Sequence, residues 1–386
     1  MDFLGDEQTR TLREKLTSWT RRTPLFAEST EETLERDARE VARRLGRDGF
    51  MAYAIPHAYG GVRATVQARD LCVIREELAS ASALADVMFG VQALGGYPIV
   101  SAGTEEQKKK YLPALASAES LAAFALTEPE AGSDASAIST EAAKVSGGYR
   151  LSGVKRFISN AGIAQVYVVF ASTTPGVKGK GISAFIVAAD SPGFMVKEKT
   201  RLLSPHPIGV LAFDNCFVPQ QQLLGSEGDG LNIAYRTLDT LRSTVGAAAV
   251  GFARRALAEA VSYSQSRRQF GRPIGEFQGI QFKIAEMAAE LEASRLLVSQ
   301  AAWAHDLNEP DLRLKSSIAK LFATEAAQRI VDQALQIHGG NGVVAGHIME
   351  RLYRDVRALR IYEGSSEIQK LVIAKSLMRK ERQHGF

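Results

Sequence analysis

From residue 6 to about residue 120, acids and bases alternate with apolar positions at steps of three and four, the spacing that gathers apolar side chains on one helical face. The stretch Ile55-Pro56-His57-Ala58-Tyr59-Gly60-Gly61 interrupts it with residues that favour turns. The pattern then changes character. Tyr149–Ser152 after the Gly147-Gly148 turn, Val166–Ala171, Ile182–Ala188 and Val210–Val218 are short β-branched or aromatic runs. Turns such as Thr174-Pro175-Gly176 and Ser191-Pro192-Gly193 punctuate them. Beyond Gly225-Ser226-Glu227-Gly228-Asp229-Gly230, helical periodicity returns. Phe277, Ile280, Ile284, Met287, Leu291, Ser294 and Val298 form a seam suited to a long antiparallel bundle. The pattern predicts an α+β multidomain chain: an N-terminal all-helical domain over residues 1–120, a middle β-domain over 121–230 and a C-terminal helical bundle over 231–386.

Composition narrows the function classes. A chain of 386 residues, 45% apolar, has room for one large core or two to three smaller ones. Its net charge of +4 comes from interspersed Lys and Arg, and the basic run Lys375–Arg382 is short, so no extended surface for nucleic acid or anionic lipid is expected. Cys72 and Cys216 stand in no C-x-x-C or His-paired spacing, which argues against a disulfide framework or a metal site and suits a reducing compartment. Met1–Glu7 carries acids where a signal peptide carries positive charge. The longest apolar run, Val87–Val100, is broken by Gln92, Gly95, Gly96 and Pro98, so no membrane-spanning helix is expected. The expectation is a cytoplasmic protein with small-molecule partners.

Five stretches carry candidate chemistry, and each also has a plain structural reading. In Phe124-Ala125-Leu126-Thr127-Glu128-Pro129-Glu130-Ala131-Gly132-Ser133-Asp134, the hydroxyls can donate and Gly132 lets backbone approach a flat or anionic ligand; a surface turn would use the same residues. In Lys155-Arg156-Phe157-Ile158-Ser159-Asn160-Ala161-Gly162, a ring precedes a hydroxyl by two residues, an arrangement that can stack on a planar cofactor and meet its edge, or merely end a strand. Ser266-Arg267-Arg268-Gln269-Phe270-Gly271-Arg272-Pro273-Ile274-Gly275-Glu276-Phe277-Gln278 places arginines at a helix–helix turn, where guanidinium can grip a pyrophosphate or simply be solvated. Gln336-Ile337-His338-Gly339-Gly340-Asn341-Gly342 is glycine-rich after a helix but lacks the Lys-Ser/Thr ending of a Walker motif; His338 reads as a packing or hydrogen-bonding residue. In Ile361-Tyr362-Glu363-Gly364-Ser365-Ser366-Glu367-Ile368-Gln369, Ser366 and Gln369 fit a capping box, leaving Glu363 either as a pre-helix acid or as a base whose pKa burial would have to raise.

In this order and spacing the five stretches resemble the acyl-CoA dehydrogenase family, over essentially the whole chain and most strongly from about Phe124 to Ala374. The resemblance implies a helical domain, a β-barrel and a four-helix bundle, with FAD bound and a homotetramer as the usual assembly. It implies that Leu126, Thr127, Ser133, Phe157 and Ser159 line the isoalloxazine ring or the adjoining acyl chain. Arg267, Phe270, Gln278, Gln336, Gly339 and Gly340 would meet the pyrophosphate and adenosine portion, by the family pattern in a neighbouring subunit's site, and Ser365 and Glu367 would complete the flavin contacts. Ser133, Asp239, Arg242 and Gly364 would contact substrate or the catalytic segment.

The implied reaction is FAD-dependent α,β-dehydrogenation of an acyl-CoA to the trans-2-enoyl-CoA. Glu363 would abstract the α-proton while hydride passes to flavin N5, and its backbone N–H with a flavin ribityl hydroxyl would stabilise the thioester oxygen. Some members carry the base on the helix containing Leu238-Asp239-Thr240-Leu241-Arg242-Ser243, at the residue before the arginine; here that residue is Leu241, which cannot accept a proton. The expected acceptor is an electron-transfer flavoprotein. Alternatives within the fold are an acyl-carrier-protein thioester as substrate, an acyl-CoA oxidase, or a flavoprotein without dehydrogenase activity. The chain departs from the family with Phe157 and Ser159 where Trp and Thr are commonest. It also has Leu203-Ser204-Pro205-His206-Pro207-Ile208-Gly209-Val210 where many members have a glycine-rich stretch with Ser or Thr near the flavin.

Overall fold

The computed structural model describes the chain from Glu7 to His384 except residues 24, 26–28, 175 and 178–180, and for residues 380–384 the backbone alone. The reading of Met1–Asp6, the central residue of the Thr174-Pro175-Gly176 turn and the end of the basic run at Lys375–Arg382 thus fall outside what is described.

The expected order of helices, sheet and helices is present. Five helices come first: α1 (Glu7–Arg22), α2 (Leu34–Arg47), α3 (Ala68–Ala81), α4 (Ala83–Ala102) and α5 (Glu105–Ala116). The strands follow: β1 (Ala122–Ala125), β2 (Glu141–Val145), β3 (Gly148–Ser159), β4 (Val166–Ser172), β5 (Ile182–Ala188), β6 (Phe194–Lys199), β7 (Ile208–Pro219) and β8 (Leu223–Leu224). After α6 (Gly230–Ser266) comes a short hairpin, β9 (Arg268–Gln269) with β10 (Arg272–Pro273), then α7 (Gln278–Asp306), α8 (Leu312–His338), α9 (Ile348–Arg357) and α10 (Ser366–His384). Two compact units result. One gathers α1, Ala68–Asp86 and the chain from Arg242 onward; the other holds Ser29–Gln67 and Val87–Leu241.

In the second unit the strands pair in the order β6-β7-β3-β2-β4-β5-β8, with β1 parallel to β4. The β2–β3 hairpin closes on Gly147 at φ +80°, a conformation that glycine adopts without a Cβ clash. Ser191-Pro192-Gly193 forms the expected turn, Phe194 N donating to Ser191 O at 3.0 Å with Gly193 at φ +86°. The sequence pattern missed β2 and β6. Both are mostly exposed and carry charges; β6 is a sheet edge, and β2 reaches β4 only through Glu141↔Ser172, so neither shows a clean apolar alternation.

The interruptions of the apolar run do not interrupt the helix: α4 runs unbroken through Gln92, Gly95, Gly96 and Pro98. Gly95 is there for proximity. A Cβ on it would lie 2.7 Å from the Ala122 Cβ and the Ala123 N, so the glycine lets α4 press against β1. By length and composition α4 could cross a membrane, yet 67% of its most apolar window is buried inside the protein.

In the first unit, small residues let the long helices approach closely. Ala247, Ala248, Ala249 and Ala253 of α6 pack with Val298, Ala301 and Ala302 of α7 and with Ala319, Ala323 and Ala327 of α8. A Cβ on Gly246 would meet the Val298 Cγ2 at 2.8 Å. The seam on α7 is seen from Ile280 onward, whereas Phe277 precedes the helix and offers its ring to the Arg272 guanidinium 4.2 Å away.

Candidate active site

In the first unit, the turn between α9 and α10 carries Glu363 at φ +53° and Gly364 at φ +93°. Left-handed backbone is unfavourable for a residue with a Cβ, and it persists only where surrounding contacts hold it. Three side chains supply those contacts. Lys320 of α8, fully buried, donates from Nζ to Gly364 O at 2.8 Å. Gln369 Nε2, one turn into α10, donates to Gly364 O at 3.1 Å and to Glu363 O at 3.3 Å. Glu325, also on α8, accepts from Ser366 Oγ and pairs with Arg360 at 2.8 Å, so both flanks of the turn are tied to one helix.

The cap differs from the capping box expected of Ser366. Ser366 is the first helical residue and spends its hydroxyl on Glu325. Ser365 stands at the cap instead, its Oγ accepting from Ile368 N at 3.4 Å while Gln369 reaches back to the turn's carbonyls. Replacing Gly364 by Ala should cost about 1–2 kcal/mol for the left-handed Cβ. The added Cβ would sit 2.4 Å from the Gln369 Nε2 and disturb that tie. A lowered denaturant midpoint with reduced helical order in α10 is the expected readout.

Glu363 is half-buried as a residue, but its carboxyl Oε2 is wholly buried without a hydrogen-bond partner. Burial pushes its pKa above the ordinary carboxylate value; the cations Arg75, Lys320 and Arg242 act in the opposite direction and do not cancel it. Arg75 is itself committed, gripping Asp86 through Nε and Nη2 at 2.8 Å each and reaching the Thr244 Oγ1 at 3.2 Å. Arg242 reaches the Ser316 Oγ at 3.4 Å. The result is a carboxyl in low dielectric with cations nearby and no group bonded to its inner oxygen. The sequence reading missed Arg75, Asp86 and Lys320. Their signal was a charge set inside an apolar helical stretch, as in Ser317-Ile318-Ala319-Lys320-Leu321-Phe322.

In the second unit, the first two motifs are bound into one piece. Lys155 Nζ donates to the Glu128 Oε1 at 2.7 Å and to Leu126 O at 3.0 Å, with both charged side chains buried. Arg156 N donates to Thr127 O at 2.9 Å. Burial would raise the Glu128 carboxyl, but Lys155 and the donors from Ser139 and Thr140 outweigh it and hold the pKa at about 2. Glu128 and Lys155 lie inside the first two motifs, where nothing local marks them as a pair.

Upon this frame Phe157 sits at φ +56° with its ring 48% exposed and the Arg156 guanidinium 4.7 Å from its centroid. Ser159 Oγ lies 3.0 Å from the His206 Nε2. Leu126 is buried, Thr127 half-buried and Ser133 exposed, next to Gly132, where an added Cβ would meet nothing. Asp239 is half-buried on α6. Leu241 is buried.

The third and fourth motifs meet in the first unit. The Tyr263 and His338 rings stack at 4.4 Å, and Asn341 Nδ2 donates to the Tyr263 hydroxyl at 3.0 Å. His338 is buried and hydrogen-bonded to Ala334 O at 2.8 Å, the packing role expected of it. Arg267, Gln278, Gln336, Gly339 and Gly340 are exposed around this junction. Phe270, at φ +51°, has its side chain 92% exposed. Its ring meets the Phe277 ring edge-on at 6.1 Å, yet so large an aromatic left this exposed on left-handed backbone points to a contact beyond the chain. Glu367 is exposed on the first turn of α10, and Ser365 is half-buried.

Similarity to known proteins identifies the family. Three family models match in order: the acyl-CoA dehydrogenase N-terminal domain over residues 6–119, the middle domain over 123–216 and the C-terminal domain over 228–378. An acyl-CoA dehydrogenase of Bacillus subtilis is 44% identical over 344 residues, covering 88% of this chain and 89% of the relative. The structure of butyryl-CoA dehydrogenase from Megasphaera elsdenii superposes with a TM-score of 0.92 at 35% identity, covering 98% of this chain and 100% of that one. An acyl-CoA dehydrogenase from Bacillus anthracis complexed with FAD gives a TM-score of 0.89 at 32% identity, covering 98% of this chain and 68% of that one. These matches bear out the fold class as well as the resemblance: the chain belongs to the acyl-CoA dehydrogenase family, and it is an oxidoreductase acting on acyl-CoA.

Proposed function

We propose that this protein desaturates the α,β-bond of an acyl-CoA with FAD as cofactor and Glu363 as the base that takes the α-proton. The observation that carries the reading is the Glu363 carboxyl. It has a buried oxygen without a partner, burial raises its pKa, and a turn anchored by Lys320 and Gln369 holds it in place. A general base works best with a pKa near the operating pH, and an oxygen already satisfied by a neighbour would be a poor acceptor.

The residues present suit FAD. In one unit, a half-exposed ring at Phe157 and a hydroxyl at Ser159 offer stacking and an edge contact, beside the open backbone at Gly132. In the other, the exposed Arg267, Phe270, Gln278 and Gln336 surround Gly339 and Gly340, where an added Cβ would meet nothing, so a pyrophosphate and an adenine have both donors and room. The Bacillus anthracis relative holds FAD, which supports the same cofactor here. When bound, FAD supplies the acceptor for the two electrons and the hydrogen that leave the β-carbon. We assign Leu126, Thr127, Ser133, Phe157, Ser159, Ser365 and Glu367 to the flavin side, and Asp239, Arg242 and Gly364 to the substrate and the catalytic segment.

The chain's own part follows from charge. An α-hydrogen of a thioester becomes acidic only as its carbonyl oxygen is stabilised, and the Glu363 N–H would donate to that oxygen while the Glu363 carboxylate takes the proton. The anchored turn keeps both groups of one residue in fixed relation, so neither must reorganise as charge develops. A homotetramer that passes electrons to an electron-transfer flavoprotein completes the proposal.

The test is to mix the FAD-loaded protein anaerobically with a series of acyl-CoAs differing in length and branching. At least one should bleach the flavin and yield the trans-2-enoyl product. Absence of bleaching across the series would refute the reading. Fast reoxidation in air with peroxide release while product is bound would move the assignment to an oxidase.

A further inference from the structure

The segment that departs most from the family pattern, Leu203-Ser204-Pro205-His206-Pro207, is bonded to the residue assigned to the flavin edge. Ser159 ends β3 and is paired with Ile208 at the start of β7. Asn160 N donates to Pro207 O at 2.7 Å, and Thr200 N donates to Ile208 O at 2.9 Å. His206, two residues before that pairing, is thereby carried alongside Ser159. Pro205 and Pro207 stiffen the backbone on either side of it, the first by fixing its own φ and the second by restricting the residue before it. The His206 Nε2 then lies 3.0 Å from the Ser159 Oγ, with His206 Nδ1 at 3.4 Å from Ser204 O.

These two contacts favour one placement of the protons. A carbonyl oxygen only accepts, so the hydrogen of a neutral His206 is on Nδ1 and Nε2 is a bare acceptor. Ser159 has a single hydroxyl proton, which goes to Nε2, and only lone pairs are left for the cofactor. Flavin N5 accepts a hydrogen bond when oxidised and carries an N–H, hence donates, when reduced.

We propose that His206 fixes the direction of the Ser159 hydroxyl so that Ser159 meets the flavin edge as a hydrogen-bond acceptor, favouring the two-electron-reduced cofactor. The proposal rests on the functional reading above, in which Ser159 lies at that edge. His206 is a positioning residue: it acts on the cofactor through Ser159. Burial pushes its pKa down to about 4, so the imidazole stays neutral, with Nε2 bare, at the pH where the reaction runs.

The test reads the two-electron midpoint potential of bound FAD by equilibration with redox dyes, in the parent, His206→Leu, Ser159→Ala and the double variant. Freed from His206, the Ser159 hydroxyl can donate to the oxidised ring. The reduced-to-oxidised ratio at fixed potential should therefore fall about tenfold, a shift of roughly 30 mV for a two-electron couple. In the Ser159→Ala background the same His206 substitution should shift nothing. If His206→Leu loses cofactor, His206→Phe retains the ring volume and is read in its place. An unchanged potential, or the same shift with and without the Ser159 hydroxyl, overturns the proposal while leaving the dehydrogenase reading intact. A parent protein that holds no FAD overturns both.

Discussion

Glu363→Gln is expected to bind FAD and acyl-CoA as the parent does, yet to reduce the flavin about 10²–10⁴-fold more slowly, the usual contribution of a positioned general base. Gln keeps the shape and the backbone N–H of the turn but cannot take the α-proton. Rapid mixing with the best acyl-CoA checks this. A second consequence concerns pH. Because the folded-state pKa of Glu363 is raised, the folded protein prefers this carboxyl protonated. That preference contributes stability at pH below the ordinary carboxylate range and is lost as pH rises through the raised folded value. Above it, the ion must be kept in a dry site. The Gln variant should therefore match the parent in acid and unfold at a higher temperature than the parent at pH 8. The parent's flavin-reduction rate should in turn rise with pH through the same raised pKa, since only the ionised carboxylate is a base. A Gln variant that is less stable at every pH would deny that the site is desolvated.

Lys155→Met should destabilise the protein by about 3–5 kcal/mol, the usual consequence of leaving one member of a buried ion pair without the other. Glu128 would remain ionised in an interior where its side chain is nearly inaccessible, stripped of its 2.7 Å partner. The damage should extend to cofactor binding, because Lys155 also ties Leu126 O to the strand that carries Phe157 and Ser159. Adding Glu128→Gln should recover part of the loss. The amide oxygen can keep the two Ser139 donors at the Oε2 position, the acceptor for Thr140 N at Oε1 is given up, and no charge is left unpaired. The sign of the acid dependence follows. Glu128 is held below its ordinary pKa, so its stabilisation is present above the ordinary carboxylate value and disappears as pH falls through about 2. Denaturant midpoints of the parent, single and double variants, with FAD content measured alongside, test the argument. A single variant as stable as the parent would contradict it.

How much of this was legible beforehand depended on whether the signal was local. The four strand runs recognised from β-branched and aromatic residues lie inside observed strands, and the seam from Ile280 to Val298 packs against the bundle core, half-buried at Ile280 and Ile284 and buried from Met287 on. Gly95 showed in the sequence only as an interruption of an apolar run, while its use is a close helix–strand contact visible only in three dimensions. The cap at α10 moved by one residue because Ser366 had a better partner, Glu325, 41 residues earlier. Within the site, the motif residues were readable, but their support was not. Periodicity says which face of a helix is buried, not which charge it will meet. Thus Lys320 beneath Gly364, Arg75 on Asp86 and Lys155 on Glu128 emerged only with the fold. Glu363 could be quoted from the sequence, whereas its left-handed backbone and unpartnered oxygen could not.

The central claim is that Glu363 removes the α-proton, and it can be measured apart from any transfer to FAD. An α-deuterated acyl-CoA with sulfur in place of the β-carbon has no β-hydrogen to lose, so loss of its α-deuterium to solvent reports the base alone. The FAD-loaded parent should wash out the label rapidly, and Glu363→Gln should do so at least about 10²-fold more slowly. Equal washout by the two proteins would contradict the assignment and place the base elsewhere.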